Sequence, residues 1–172
     1  MAKVVLISIR PEWVEKILSW EKTLEIRKTR PKLETPFKVY IYCTNPKNIM
    51  LWNARSYIYA DDHSHNAFDR CWNGSVVGEF VCDRIDTINP ETEPYGIYDV
   101  DDDFVAQTGL VDGALWDYGK GATLYGWHIS KLEIYDTPKE LCEFRGLRKT
   151  KFGYAPVEIK RPPQSWCYVE EL

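Results

Sequence analysis

A chain of 172 residues is the size of one domain and long enough to bury about 70% of the surface its unfolded form exposes. Apolar residues make up 44% of it and no apolar run reaches the roughly 18 residues of a membrane span, which excludes a disordered chain and a membrane helix. The formal net charge of −4 excludes an indiscriminate binder of polyanions, since such binding rests on neutralising phosphates.

The N-terminus turns polar at Ser8 and Arg10 and has no small-residue cleavage site, so no signal peptide is expected and the reading is cytoplasmic. Val4 to Ile9 is short and β-branched, a first strand. Pro11 then suits the first turn of a helix running to Ser19, with Glu12 and Glu15 near its positive end and Val14, Ile17 and Leu18 on one side. Thr23 to Arg27 alternates, placing Leu24 and Ile26 on one face and Thr23, Glu25 and Arg27 on the other. This predicts a half-buried strand with a charged face.

Further strands are expected at Phe37 to Thr44, Ser75 to Ile85, Tyr125 to Tyr135 and Ser165 to Val169. Thr137-Pro138-Lys139-Glu140-Leu141 reads as a second helix start, with Thr137 as N-cap and Glu140 closing a capping box. Two long connections separate these elements. Residues 46–74 include a short helix expected near Asn48 to Tyr57 and the polar tract Asp61 to Asn66. The acidic stretch 89–120 carries a helix expected at Asp102 to Thr108. Many strands and few helices, without a repeat or a second domain, predict a single α+β domain over residues 1–172, a small mixed β-barrel with flanking helices.

Charge is distributed unevenly. Lys22, Arg27, Lys28, Arg30, Lys32 and Lys38 form one basic stretch, and Arg145, Arg148, Lys149, Lys151, Lys160 and Arg161 form another. Between Ile85 and Gly119 there is no Lys or Arg. Either a polarised molecule with a phosphate-holding face or two solvated loops would follow. Cys43, Cys71, Cys82, Cys142 and Cys167 include no Cys-x-x-Cys pair and are expected to be free thiols. His63 and His65 lack a spaced third ligand, so no metal is expected there, and Gly119-Lys120-Gly121 lacks a phosphate-loop pattern. His128, inside a strand, reads as structural.

Lys22, Glu25 and Arg27, following a strand and a helix, resemble the ASCH family signature Gly-x-Lys-x-x-Glu-x-Arg. The run Val76-Val77-Gly78-Glu79-Phe80 and the ending Pro162 to Val169 add to the resemblance, the latter being similar to phage and prophage members. Trp20 stands where the family has Gly, implying either a different helix end or an aromatic at a cleft mouth. The resemblance implies a PUA-like barrel and a cleft lined by the signature, holding RNA, single-stranded nucleic acid or a nucleotide, without a cofactor.

In that cleft Arg27 would grip a phosphate or base edge, Lys22 would act as a mobile charge, and Glu25 would accept from an amine or hold Arg27. A plain Glu25–Arg27 ion pair is the bland alternative. One of Gln164, Ser165 and Trp166 is expected at the cleft. Glu79 is expected to be partly desolvated, with a raised pKa unless Lys22 or Arg27 pairs with it. If the protein is an enzyme, Lys22, Glu25 and Glu79 are the candidates, by resemblance to ribonucleases or to acetylcytidine amidohydrolases. Glu25 replaces the threonine of the latter. A third reading makes Asp101 to Asp103 the working surface of a protein-interaction module.

Overall fold

The computed structural model describes residues 2–45, 73–91, 96–111 and 113–172. The helix expected near Asn48, the tract with His63 and His65, and Cys71 lie outside the described residues. In chain order the elements are β1 (Lys3–Ile9), α1 (Pro11–Leu18), β2 (Leu24–Arg27), β3 (Phe37–Cys43), β4 (Val76–Ile88), β5 (Pro90–Glu91) and β6 (Ile97–Tyr98). Then come α2 (Asp102–Thr108), α3 (Ala114–Gly119), β7 (Leu124–Lys139), a 3-10 turn at Leu141–Glu143, β8 (Arg145–Thr150), β9 (Gly153–Glu158) and β10 (Trp166–Glu170).

Eight strands hydrogen-bond in the order β2-β7-β4-β3-β1-β10-β8-β9, and β5 pairs with β6 separately. The large sheet therefore ends at β2 and at β9 and is not closed, which corrects the expected barrel; the α+β class stands. The physical reason lies at the β9 end. The edge strand there, Gly153–Glu158, carries Pro156, which has no N–H to donate to a further strand.

The described residues fall into two compact units. The first takes residues 2–15, 38–45, 73–80 and 132–172. Val4, Leu6, Tyr40, Tyr42, Val76, Phe144 and Val169 form its buried core, with Tyr40 and Phe144 in an edge-to-face contact. β1 pairs in parallel with β3, Val5 opposite Val39, and antiparallel to β10, Val4 opposite Val169. Gly78 is required by a close approach, since a Cβ there would lie 2.4 Å from the Glu133 carbonyl oxygen.

The second unit takes residues 16–37, 81–91, 96–111 and 113–131. Leu24, Ile26, Ile88, Tyr98, Leu115 and Leu124 form its core, with Phe104 and Trp116 packed against them. α2 has the bounds expected. Its N-cap Asp101 accepts a hydrogen bond from the Phe104 N–H at 2.7 Å, Asp102 and Asp103 lie in the positive first turn, and Gly109 closes it in the left-handed conformation (φ 66°). The acidic run thus has a helix-starting role.

The helix expected from Thr137 is displaced. Thr137, Pro138 and Lys139 continue β7, and Glu140 is the cap of the 3-10 turn, exchanging side chain–backbone bonds with Glu143. A proline at a strand end is tolerated, so the pattern that suggests a helix start also fits a strand about to stop. Cys43, Cys82, Cys142 and Cys167 are free thiols, the first two buried. No helix among the described residues is long and apolar enough to cross a membrane.

Candidate functional site

The second unit assembles the signature from three local events. α1 ends where Trp20 takes the left-handed conformation (φ 62°), its N–H bonded to the Ile17 carbonyl. The glycine position of the signature thus keeps its backbone shape while carrying an aromatic ring that is 51% exposed. The different helix end expected as one alternative is thus not adopted: the left-handed turn is retained with Trp20 in it.

The chain from α1 into β2 is then tied to the end of α2. The Gln107, Thr108 and Gly109 carbonyls accept, in turn, from the Thr23 N–H (3.0 Å), Lys22 Nζ (2.6 Å) and Lys16 Nζ (2.8 Å). α2 has no basic residue in its own last turn, so two lysines from elsewhere complement the negative end of its dipole.

Lys22 is consequently not the mobile charge expected. It is 3% exposed, and its ammonium also donates to the Leu24 carbonyl at 2.8 Å and lies 3.3 Å from Glu25 Oε2. Burial lowers its pKa and the Glu25 carboxylate acts in the opposite sense. The other carboxylate oxygen of Glu25, Oε1, accepts from Arg27 Nε at 2.9 Å. Glu25 is 6% exposed, so the charged face expected on β2 is covered. Directly across the ladder, Trp127 faces Glu25 and Tyr125 faces Arg27.

Lys22 therefore positions Glu25, and Glu25 positions Arg27. Beside them Tyr118 is 40% exposed, its phenol is bonded to the Lys28 backbone and Lys28 Nζ lies 5.1 Å from its ring. Burial pushes the Tyr118 phenol up, with the Arg27 charge working against it. Lys22 and Arg27 flank the Glu25 carboxylate, with the Tyr118 ring alongside and Lys28 against that ring. Such an arrangement offers an anion both charge and a stacking surface.

A different polar group in the same unit was not read from the sequence. The Asp86 carboxylate lies 2.6 Å from His128 Nε2 and 3.1 Å from Arg84 Nε. The three residues sit on β4 and β7, 42 positions apart for the His–Asp contact, so no local signal marks them. Near it, a shallow depression of about 340 Å³ is lined by Asp86, Asn89, Asp99, Asp101 and Phe104, among others. Its carboxylates repel phosphate, so anion binding does not belong there.

Glu79, Gln164, Ser165 and Trp166 belong to the first unit. Glu79 Oε1 accepts from Lys38 Nζ at 2.8 Å, and its Oε2 accepts from the Tyr135 hydroxyl. Lys38 also reaches Glu171 at 3.3 Å. Burial pushes the Glu79 carboxyl up, but the bonds from Lys38 and Tyr135 outweigh it and hold the group below the usual carboxylate range. The raised pKa expected for Glu79 is thus corrected, and Lys38 in place of Lys22 or Arg27 is the pairing cation. Gln164 is exposed, the Ser165 carbonyl accepts from the Ser8 N–H at 2.9 Å, and Trp166 meets Tyr168 edge-to-face.

No family model matches the chain, and no curated protein matches it. Among solved structures it is similar to ASCH from Zymomonas mobilis at 17% identity, over 97% of this chain and 87% of that one, with a TM-score of 0.53. A Tyr-to-Phe variant of that protein aligns over 99% and 92% of the two chains (17% identity, TM-score 0.54). A Ser-to-Ala variant aligns over 97% and 88% (17% identity, TM-score 0.52). At that identity the likeness shows the fold: this chain has the ASCH fold across nearly its whole length.

Proposed function

We propose that the protein binds RNA or a nucleotide at the Lys22–Glu25–Arg27 site of the second unit. The observation that carries this reading is the orientation of Arg27. Its Nε is held by a carboxylate that is itself clamped by a buried lysine, so the guanidinium is preorganised for a phosphate or a base edge. Lys28 adds charge and Tyr118 a ring on which a base stacks.

Titration calorimetry with the four ribonucleoside monophosphates tests it. Arg27→Ala should weaken binding at least tenfold, and Arg27→Lys, which keeps the charge and loses the fork, should fall between the two. Unchanged affinity in Arg27→Ala would remove the central support. A hydrolytic reading is favoured by one observation, the lowered pKa of buried Lys22 beside Glu25. Incubation with acetylcytidine and with labelled RNA, comparing wild type with Lys22→Ala and Glu25→Gln, decides between binding and turnover.

A further inference from the structure

The outer face of β10, β8 and β9 in the first unit carries side chains that the signature site does not use. Val169 lies opposite Gly146 on the core side, so alternation places Trp166, Tyr168 and Lys149 on the other face, and Tyr154 joins them opposite Lys149. The rings form a chain: Trp166 and Tyr168 are 5.3 Å apart by centroid, Tyr168 and Tyr154 5.8 Å. Lys3 Nζ lies 4.2 Å from the Tyr154 ring and 4.5 Å from that of Tyr168. At the hairpin tip Phe152 is 90% exposed, and Tyr154, two residues on, is 42% exposed.

Two features choose the ligand. Charge is positive at the hairpin tip, where Lys149 and Lys151 flank Phe152 and Tyr154, while the acids of this face, Glu158 opposite Arg145 and Glu170, lie at the end of the strands away from the tip. Phe152 in the turn and Tyr154 at the start of β9 are two residues apart in the chain and both exposed, so neighbouring unstacked bases can seat on them while the lysines meet phosphates. A duplex keeps its base faces covered, so the same rings would have nothing to stack on.

We infer that this face is a second, independent binding surface for single-stranded nucleic acid, with Phe152 and Tyr154 stacking bases and Lys149 and Lys151 neutralising the backbone. It goes beyond the signature site and does not depend on it. The substituted residues are exposed, and Tyr154→Phe keeps the ring as a control for folding.

Fluorescence anisotropy with a labelled 12-nucleotide single-stranded RNA, its duplex form and polyglutamate tests the surface in the wild-type and Arg27→Ala backgrounds. The paired substitution Phe152→Ala, Tyr154→Ala should weaken single-strand binding roughly tenfold or more in both backgrounds, with Tyr154→Phe binding as wild type. Lys149→Ala with Lys151→Ala should lower the slope of log affinity against log salt by about 1 to 2. Wild-type affinity in the aromatic double variant, equal affinity for duplex or polyglutamate, or no binding of the single strand would each overturn it. An effect of Arg27→Ala on mononucleotide binding reports on the signature site alone, so the two readings fail separately.

Discussion

Glu25 and Glu79 are both carboxylates gripped from two sides, and their surroundings are opposite in charge. In the second unit two cations, Lys22 and Arg27, converge on one carboxylate. In the first unit two carboxylates, Glu79 and Glu171, converge on one cation, Lys38, with the Tyr135 hydroxyl completing the grip. The first arrangement sets two cations against one carboxylate; the second sets two carboxylates against one cation. Partial burial of a carboxylate therefore does not mark a site by itself.

The contrast is broken most severely at Glu25. Glu25→Ala strands the Lys22 ammonium in a buried position and should destabilise the protein by about 3–5 kcal/mol, read as a lower urea midpoint. Glu79→Gln keeps an acceptor for Tyr135 and leaves Lys38 its second partner, Glu171, so the loss should be nearer 2 kcal/mol.

Stability against pH separates the two regions by pH range, with stability rising with pH in both. The Glu79 carboxyl is lowered on folding, so its contribution is present above its unfolded value of about 4.3 and is lost as pH falls through the folded one. Glu79→Gln should flatten that acid limb. Lys22 is also lowered, but as a base: between its folded value and 10.5 the unfolded chain binds more protons, so its contribution rises with pH there. Lys22→Met should remove that alkaline rise, measured by urea unfolding across the pH series. The smallest effect is expected at the helix end, where Trp20→Gly relieves a left-handed non-glycine residue and should stabilise by about 1 kcal/mol.

Much of the fold was legible because the pattern was local. β1, α1, β2, β3, α2 and β10 lie within one or two residues of the bounds that alternation, proline and capping residues suggest. β4 and β7 run on beyond expectation, since the added stretches, such as Asp86 and Thr87 in β4, look polar and are held by pairing with neighbours. The β8–β9 hairpin was missed for the same reason: Arg-Gly-Leu-Arg-Lys-Thr has no strand propensity, and its strand state comes from tertiary context. At the site, sequence spacing brought Lys22, Glu25 and Arg27 together correctly. It did not show that α2, more than 80 residues away, would bond to Lys16, Lys22 and Thr23, with Lys22 and Glu25 left buried. Nor did it show Lys38 as the partner of Glu79, because neither residue carries a local signal for the other.

Gly78 carries a consequence for how this chain can vary over generations. The missing Cβ lets the backbone pass the Glu133 carbonyl, and the next residue, Glu79, meets Tyr135, two positions after Glu133. A lineage can lose the carboxylate at 79 and still close the strands. It cannot gain any side chain at 78 without moving the backbone there, so drift at the glycine is barred even where drift at the neighbouring carboxylate is open.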